Sequence, residues 1–272
     1  MKPIMRAGKP FSPNKTEEIV NQFHQDGYYF IGPVLEEDEV CALKGAIERK
    51  FADEKLHNDE DGDYIRGTGF VSLMRMFEYD LNFRDLIVRE PLVSLAEAIL
   101  GQDCHMMSQN ASRSEPNHHA GWHLDDGVHF PVPDGFSRHD PRYRIPCFVL
   151  NMLIPLTDMD SFEDGPTQVV PGSHYAGSPP NSQENPEFEG QGPHTLFAKA
   201  GDVYIFHSQI WHRGSPNTVN RPRIMGGVAY SQRIISQRLY PFLNYQMPDH
   251  VLEGANERLL RLLGKHSKGA YG

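Results

Sequence analysis

Gly201-Asp202-Val203-Tyr204-Ile205-Phe206-His207 is a short β-type run entered through a turn, and its reading decides the fold. Successive side chains of a strand point to opposite faces. Val203 and Ile205 therefore face one side and Tyr204 and Phe206 the other. Similar runs recur at 103–110, 146–156, 167–170, 194–198 and 223–231, separated by clusters of Gly, Pro, Asp and Asn. Short strands at this spacing favour an antiparallel sandwich or barrel over a parallel βαβ sheet.

Upstream of residue 102 the texture is helical. Asn14 with Glu17 three residues on is a capping signal, Ile19, Val20 and Phe23 form an apolar face, and Gly27 closes the helix. Tyr28 to Val34 is a short β-rich run ended by Pro33. A second helix is expected from near Glu36, with Val40, Leu43, Ile47 and Phe51 at helical spacing. Residues 70–80 fit either state. Leu92 to Leu100 reads as a further helix closed by Gly101. After the β runs, Leu259, Leu260 and Leu263 share a helical face and Gly264 is the expected cap. Residues 171–193 read as a long surface loop. The outline is a mainly β protein with flanking helices and a jelly-roll, cupin-like core. We expect one domain over 1–272, with a mainly helical part at 1–101, the core at 102–235 and a helical tail at 236–272.

Composition narrows the function. The 272 residues carry 26 Lys and Arg against 36 Asp and Glu, a formal charge of −10. An acidic chain without a basic run does not suit nucleic acid or an anionic membrane. Three widely spaced cysteines (Cys41, Cys104, Cys147) do not make a disulfide framework. No stretch approaches the roughly 18 apolar residues of a membrane span, and Met1 to Pro13 lacks the apolar middle of a signal peptide. A cytoplasmic protein is expected. The 14 histidines raise the prior for a metal site.

Trp122-His123-Leu124-Asp125 places an imidazole and a carboxylate two residues apart, on one side of an extended segment. His212, in Ile210-Trp211-His212-Arg213-Gly214, follows the run 202–207 and can complete the set if the barrel closes. Two histidines and a carboxylate form the facial triad of non-haem Fe(II) oxygenases, which leaves the opposite positions open. Arg223 opens the next β run, where a guanidinium could hold a carboxylate in a two-pronged pair. Arg221 points to the same side, and spacing alone does not separate the two.

In this order and spacing the motifs resemble the phytanoyl-CoA dioxygenase-like branch of the Fe(II)/2-oxoglutarate oxygenases. The resemblance runs over nearly the whole chain. It rests on Asp26-Gly27-Tyr28-Tyr29-Phe30-Ile31, His123-Leu124-Asp125, Asp164-Gly165-Pro166-Thr167-Gln168-Val169-Val170-Pro171-Gly172-Ser173-His174, Gly201-Asp202-Val203 leading to His212, Arg223, and the ending from Gly264 to Gly272. It implies a double-stranded β-helix core with Fe(II) on His123, Asp125 and His212, and 2-oxoglutarate chelated to the iron with its far carboxylate on Arg223. Thr167 matches a position that contacts the co-substrate in some relatives. Two positions depart: Gly121 stands where some relatives have glutamine, and Gly214 where others have serine. The implied reaction consumes O2, releases succinate and CO2, and with Asp125 present defaults to hydroxylation of a small-molecule C–H. Desaturation, ring closure and epimerisation share its chemistry.

Asn110, Arg113 and Asn151 are candidates for substrate contact. Loops 52–70, 114–122, 126–145 and 174–193 should shape the pocket. His118, His119 and His129 read as loop residues, His174 as serving the turn after Pro171-Gly172, and Trp211 as packing. Cys104 and Cys147 read as small core residues. Two other classes compete: a metal-binding jelly roll of another kind, such as an isomerase or a co-substrate-free dioxygenase, and a non-catalytic binding module. The first would need the ligands without Arg223. The second would be favoured by loss of a ligand, and all three are present.

Overall fold

A computed structural model describes residues 3–52, 64–67, 69–239 and 245–267. Two helices enter first: α1 (Pro13–Asp26) and, after strand β1 (Tyr28–Pro33), α2 (Glu37–Phe51). Strands β2 (Tyr64–Gly67) and β3 (Phe70–Met74) precede short helices α3 (Met76–Tyr79), α4 (Leu81–Leu86) and α5 (Leu92–Leu100). The β core follows as β4 (His105–Ser114), β5 (Val149–Pro155), β6 (Thr167–Val169), β7 (His194–Leu196), β8 (Asp202–His207), β9 (His212–Gly214) and β10 (Arg223–Ser231). Helices α6 (Asp249–Leu252) and α7 (Glu257–Leu262) come last.

Among the described residues every strand pairing is antiparallel. The described strands form a seven-stranded sheet, β1-β8-β5-β10-β4-β3-β2, and a three-stranded sheet, β7-β6-β9. This is the jelly-roll core with flanking helices. The alternation in β8 divides the molecule as expected. Val203 and Ile205 join the core formed with Ile19 and Phe23 of α1, Leu43 and Ile47 of α2, and Leu95 and Ala96 of α5. Tyr204 and Phe206 face the other way and pack with Val169, Leu196, Ile210 and Met225 between the sheets.

Several boundaries differ from the sequence reading, each for a local reason. Helix α1 is capped by Ser12, whose side chain accepts from the Lys15 N–H, with Pro13 in the first turn. Proline fits there because that N–H has no partner in the helix. Gly27 ends α1 in a left-handed conformation (φ 79°) against the His174 ring, which leaves no room for a Cβ. Residues 64–67 and 70–74 are strands, so the first third is less helical than its pattern, and loop 52–70 is partly sheet. Strand β3 pairs with β4 by placing Leu73 opposite Ala111, both buried. The rest of that loop, 53–63 and 68, and the final residues 268–272 lie outside the described residues. Strand β4 runs to Ser114 rather than stopping at 110, because its polar alternate residues face a polar barrel interior. Over α7 and its C-cap the buried residues are Leu259, Leu262 and Leu263, a spacing that leaves Leu260 only partly buried.

Candidate active site

The segment His123–Asp125 lies alongside the turn and strand that carry His212. His123 and His212 exchange both backbone hydrogen bonds, at 3.0 and 2.9 Å, and the Asp125 N–H donates to Ser208 O at 2.9 Å. Two adjacent extended segments thus aim three side chains into the end of the barrel. One ligand atom from each of His123, Asp125 and His212 lies within 4.8 Å of the others. His212 Nε2 is 3.7 Å from Asp125 Oδ1, and the two imidazole rings are 4.2 Å apart between centroids. Among the described residues this is the one cluster of such groups that could hold a metal ion.

The hydrogen bonds decide which nitrogens are offered. His123 Nδ1 lies 2.8 Å from Gly121 O, and His212 Nδ1 lies 2.9 Å from Ile210 O. A carbonyl only accepts, so each Nδ1 carries a proton and Nε2 is the nitrogen left to bind a metal. His212 is 7% exposed, and burial lowers its pKa against the opposing pull of Asp125. Two imidazoles and a carboxylate suit a divalent first-row ion such as Fe(II), with positions left for other ligands.

Asp125 is held at its carboxylate by one residue and at its backbone by another. Asn151 Nδ2 donates to Asp125 Oδ2 at 2.7 Å. Gln209 Nε2 donates to Asp125 O at 3.2 Å and Gly127 O at 3.0 Å, while its Oε1 accepts from the His129 N–H at 2.7 Å. The sequence reading missed Gln209. It belongs to no motif, and only its place in the turn before His212 brings it to the loop.

Arg223 lies further along the barrel and is 7% exposed. Its Nη1 donates to Gly165 O and its Nη2 to Ser114 Oγ at 3.2 Å, while Nε is buried without a partner. No carboxylate among the described residues pairs with it. Arg221 differs: it reaches outward to Asp164 and to Asp158 O. The two arginines that spacing could not separate are separated by their partners. Gly214 explains why Arg223 can lie where it does. A Cβ there would sit 2.9 Å from Arg223 Nη2, so the glycine leaves the guanidinium its place against β9. Gly214 is two residues beyond His212, or about 7 Å along a strand, which matches the reach of a five-carbon dicarboxylate. Beside it Thr167 Oγ1 and Tyr204 OH are 2.7 Å apart. Burial pushes the Tyr204 phenol up to about 12, which keeps it neutral.

Of the three residues expected to contact substrate, Asn110 faces the barrel. It sits opposite Gly227, donates to Ser72 Oγ at 3.3 Å, and occupies space that a Cβ on Gly227 would need. Asn151 also faces inward, but its amide is engaged by Asp125. Arg113 is corrected. It lies at the opposite parity of β4, pairs with Glu48 of α2 and with Glu115, both at 2.8 Å, and stacks over Phe51. Register decides this, since residues 110 and 113 of one strand face opposite sides. At Gly121, Gln183 of loop 174–193 comes close, its Oε1 3.0 Å from the place of a Cβ. Gln183 also donates to Trp122 O at 3.0 Å. The expected supporting roles also appear. His174 Nε2 lies 3.1 Å from His24 O, Trp211 is buried with its Nε1–H on Ser178 O, and Cys104 and Cys147 are buried free thiols. A wide groove of about 770 Å³ between α1 and loops 126–145 and 171–193 includes none of the triad. No described helix is long and apolar enough to cross a membrane.

The profile of the phytanoyl-CoA dioxygenase family matches residues 23–225, from the end of α1 to the start of β10. The chain belongs to this family. Its reaction class is accordingly Fe(II)- and 2-oxoglutarate-dependent oxygenation, with O2 as oxidant. Among curated proteins it is 25% identical over 248 residues to the ectoine dioxygenase of Bordetella bronchiseptica, covering 81% of this chain and 77% of that one. Among solved structures it resembles the epimerase SnoN of nogalamycin biosynthesis in complex with Fe3+, α-ketoglutarate and nogalamycin RO. The TM-score is 0.66 at 20% identity, over 87% of this chain and 93% of SnoN. It also resembles HygX of Streptomyces hygroscopicus with nickel, 2-oxoglutarate and hygromycin B, with a TM-score of 0.62 at 17% identity over 85% and 92% of the two chains. At these identities the structural matches establish the fold.

Proposed function

We propose that this chain hydroxylates an unactivated C–H of a small molecule, using Fe(II) held by His123 Nε2, Asp125 and His212 Nε2. The carrying observation is a pair: three convergent ligand atoms, and the buried guanidinium of Arg223, which reaches from β10 to Gly214, two residues beyond His212, and has no carboxylate partner among the described residues. An isomerase or co-substrate-free dioxygenase has no use for the second element. When bound, iron in such a site supplies activation of O2 coupled to decarboxylation of 2-oxoglutarate to succinate and CO2.

The chain's own groups do the rest. Arg223 takes the far carboxylate of 2-oxoglutarate in a charge-assisted pair, exchanging its contact with Gly165 O for a full negative charge. Thr167 and Tyr204, hydrogen-bonded to each other, stand beside it with one hydroxyl hydrogen left to donate. The buried Phe206 ring packs 4.7 Å from the His212 ring and keeps that imidazole out of water. Asn110, with Ser72, offers a polar wall on the substrate side of the barrel. The small-molecule class is supported by the family relatives, among them the ectoine dioxygenase, and by the nogalamycin and hygromycin B bound in SnoN and HygX.

The test is anaerobic addition of Fe(II) and 2-oxoglutarate to the purified chain, watched for the weak visible charge-transfer band of the chelate. The band should appear, and should be lost in His212→Ala and Arg223→Ala. A folded, iron-loaded chain that gives no band would overturn the reading. Product analysis with an accepted substrate then separates hydroxylation, which adds one oxygen atom, from epimerisation, which leaves the mass unchanged.

A further inference from the structure

Asp125 sits on a segment whose neighbours hold its backbone but not its side chain. The Asp125 N–H is tied to Ser208 O, and its carbonyl to Gln209. The terminal torsion of an aspartate is broad, so nothing in that backbone frame distinguishes one carboxylate oxygen from the other. The distinction comes from across the barrel. Asn151 is on the inner face of β5, paired with Ala229 of β10 and Phe206 of β8. The next inward residue of the strand is Leu153, packed with Tyr204 and Phe206, so Asn151 is a polar group in apolar company. Such a group needs a partner, and its partner is Asp125 Oδ2 at 2.7 Å. The other oxygen, Oδ1, faces His212 Nε2 at 3.7 Å. An ionised carboxylate only accepts, so the amide nitrogen is the atom that must point at it.

We infer that Asn151 is a positioning residue: its amide occupies Asp125 Oδ2, so that Oδ1 alone is offered beside the two imidazoles. The inference rests on the triad holding Fe(II) and adds a consequence for O2. In an octahedral site, two imidazoles, one carboxylate oxygen and a chelating 2-oxoglutarate leave one position free. If both oxygens of Asp125 bound, none would remain. Asn151 thereby keeps open the position that O2 needs, without touching substrate, co-substrate or O2.

Nitric oxide, an O2 surrogate, separates this role from a general loss of structure. Wild-type protein loaded anaerobically with Fe(II) is titrated with nitric oxide and followed by the electron paramagnetic resonance signal of its adduct, with and without 2-oxoglutarate. The same titration is made on Asn151→Leu, close in volume but without a donor, and on Asn151→Ser, which keeps a shorter donor. We expect wild type to form the adduct in both conditions. Asn151→Leu should form it normally without 2-oxoglutarate and bind nitric oxide about tenfold more weakly with it. Asn151→Ser should fall between. A merely structural role would weaken both conditions alike, and either that result or equal binding by Asn151→Leu and wild type would overturn the inference. Should Asn151→Leu fail to fold, Asn151→Ser carries the test by the same with-and-without comparison. Absence of the 2-oxoglutarate charge-transfer band in wild type would instead break the proposed function.

Discussion

The two faces of the seven-stranded sheet differ in how their polar groups are used. On the helix-covered face, Leu150, Met152, Ile154, Val203, Ile205, Ile224 and Val228 are buried in one apolar core. Charged groups on that side are matched: Arg113 meets Glu48 and Glu115, and Arg89 meets Glu39. On the barrel face, Asn110, Asn151, Tyr204 and Arg223 stand among fewer apolar residues, and Arg223 is buried without a carboxylate. A buried cation left unmatched costs stability. The helix face is organised to hold the fold, and the barrel face keeps a group unsatisfied until a ligand arrives.

Substitutions on the two faces should therefore fail in different ways. The largest effect is expected for Asp125→Ala, which should abolish 2-oxoglutarate-dependent succinate formation with little change in the thermal midpoint. Persistent Fe(II)-dependent turnover in that variant would break the division. Next, Arg223→Ala should raise the KM for 2-oxoglutarate by about 30-fold or more, the scale of losing one partner of a buried charge pair. The free protein should be no less stable, because an unmatched buried cation is gone; a KM within twofold of wild type would remove Arg223 from the co-substrate site. On the other face, Ile205→Ala should cost about 2–5 kcal/mol by denaturant melting while leaving the 2-oxoglutarate band intact. Smallest is Arg113→Ala, a partly exposed ion pair worth about 1 kcal/mol or less, with no effect on KM.

Acid should attack the fold through a buried cluster of histidines. His24, His174 and His207 cluster where α1 meets the turn after β6, with the His174 and His207 rings 5.2 Å apart. Burial pushes His24 and His174 down to about 4 and His207 well below its usual value. Their folded pKa values lie below the unfolded value of about 6.5, so the unfolded chain binds more protons as pH falls. Stability should be complete above pH 6.5 and decline steadily towards pH 4. For the deeply buried His174 alone the loss is on the order of 3 kcal/mol at the bottom of that window. Replacing His174 with Gln should flatten the denaturant midpoint against pH, and an unchanged slope would exclude it as a source.

Alternation and spacing in the chain determined a good deal. The parity of Val203 against Tyr204 sets which side of the sheet each buries, because pleated strands admit only two faces. His123 and Asp125 share a side for the same reason, and the order of the motifs carries the family. Other features depend on neighbours distant in sequence. Spacing left Arg221 and Arg223 equal. Asp164 satisfies the first and Gly214 makes room for the second, and both facts belong to chain segments brought together by folding. Arg113 lost its place in the pocket when β4 continued past residue 110 and put it on the helix side. Asn151 and Gln209 belong to no motif, because a hydrogen-bond partner 26 or 84 residues away leaves no periodic trace in the sequence. Local pattern reports which way a side chain points. What it meets there depends on register and sheet pairing, which only the closed barrel decides.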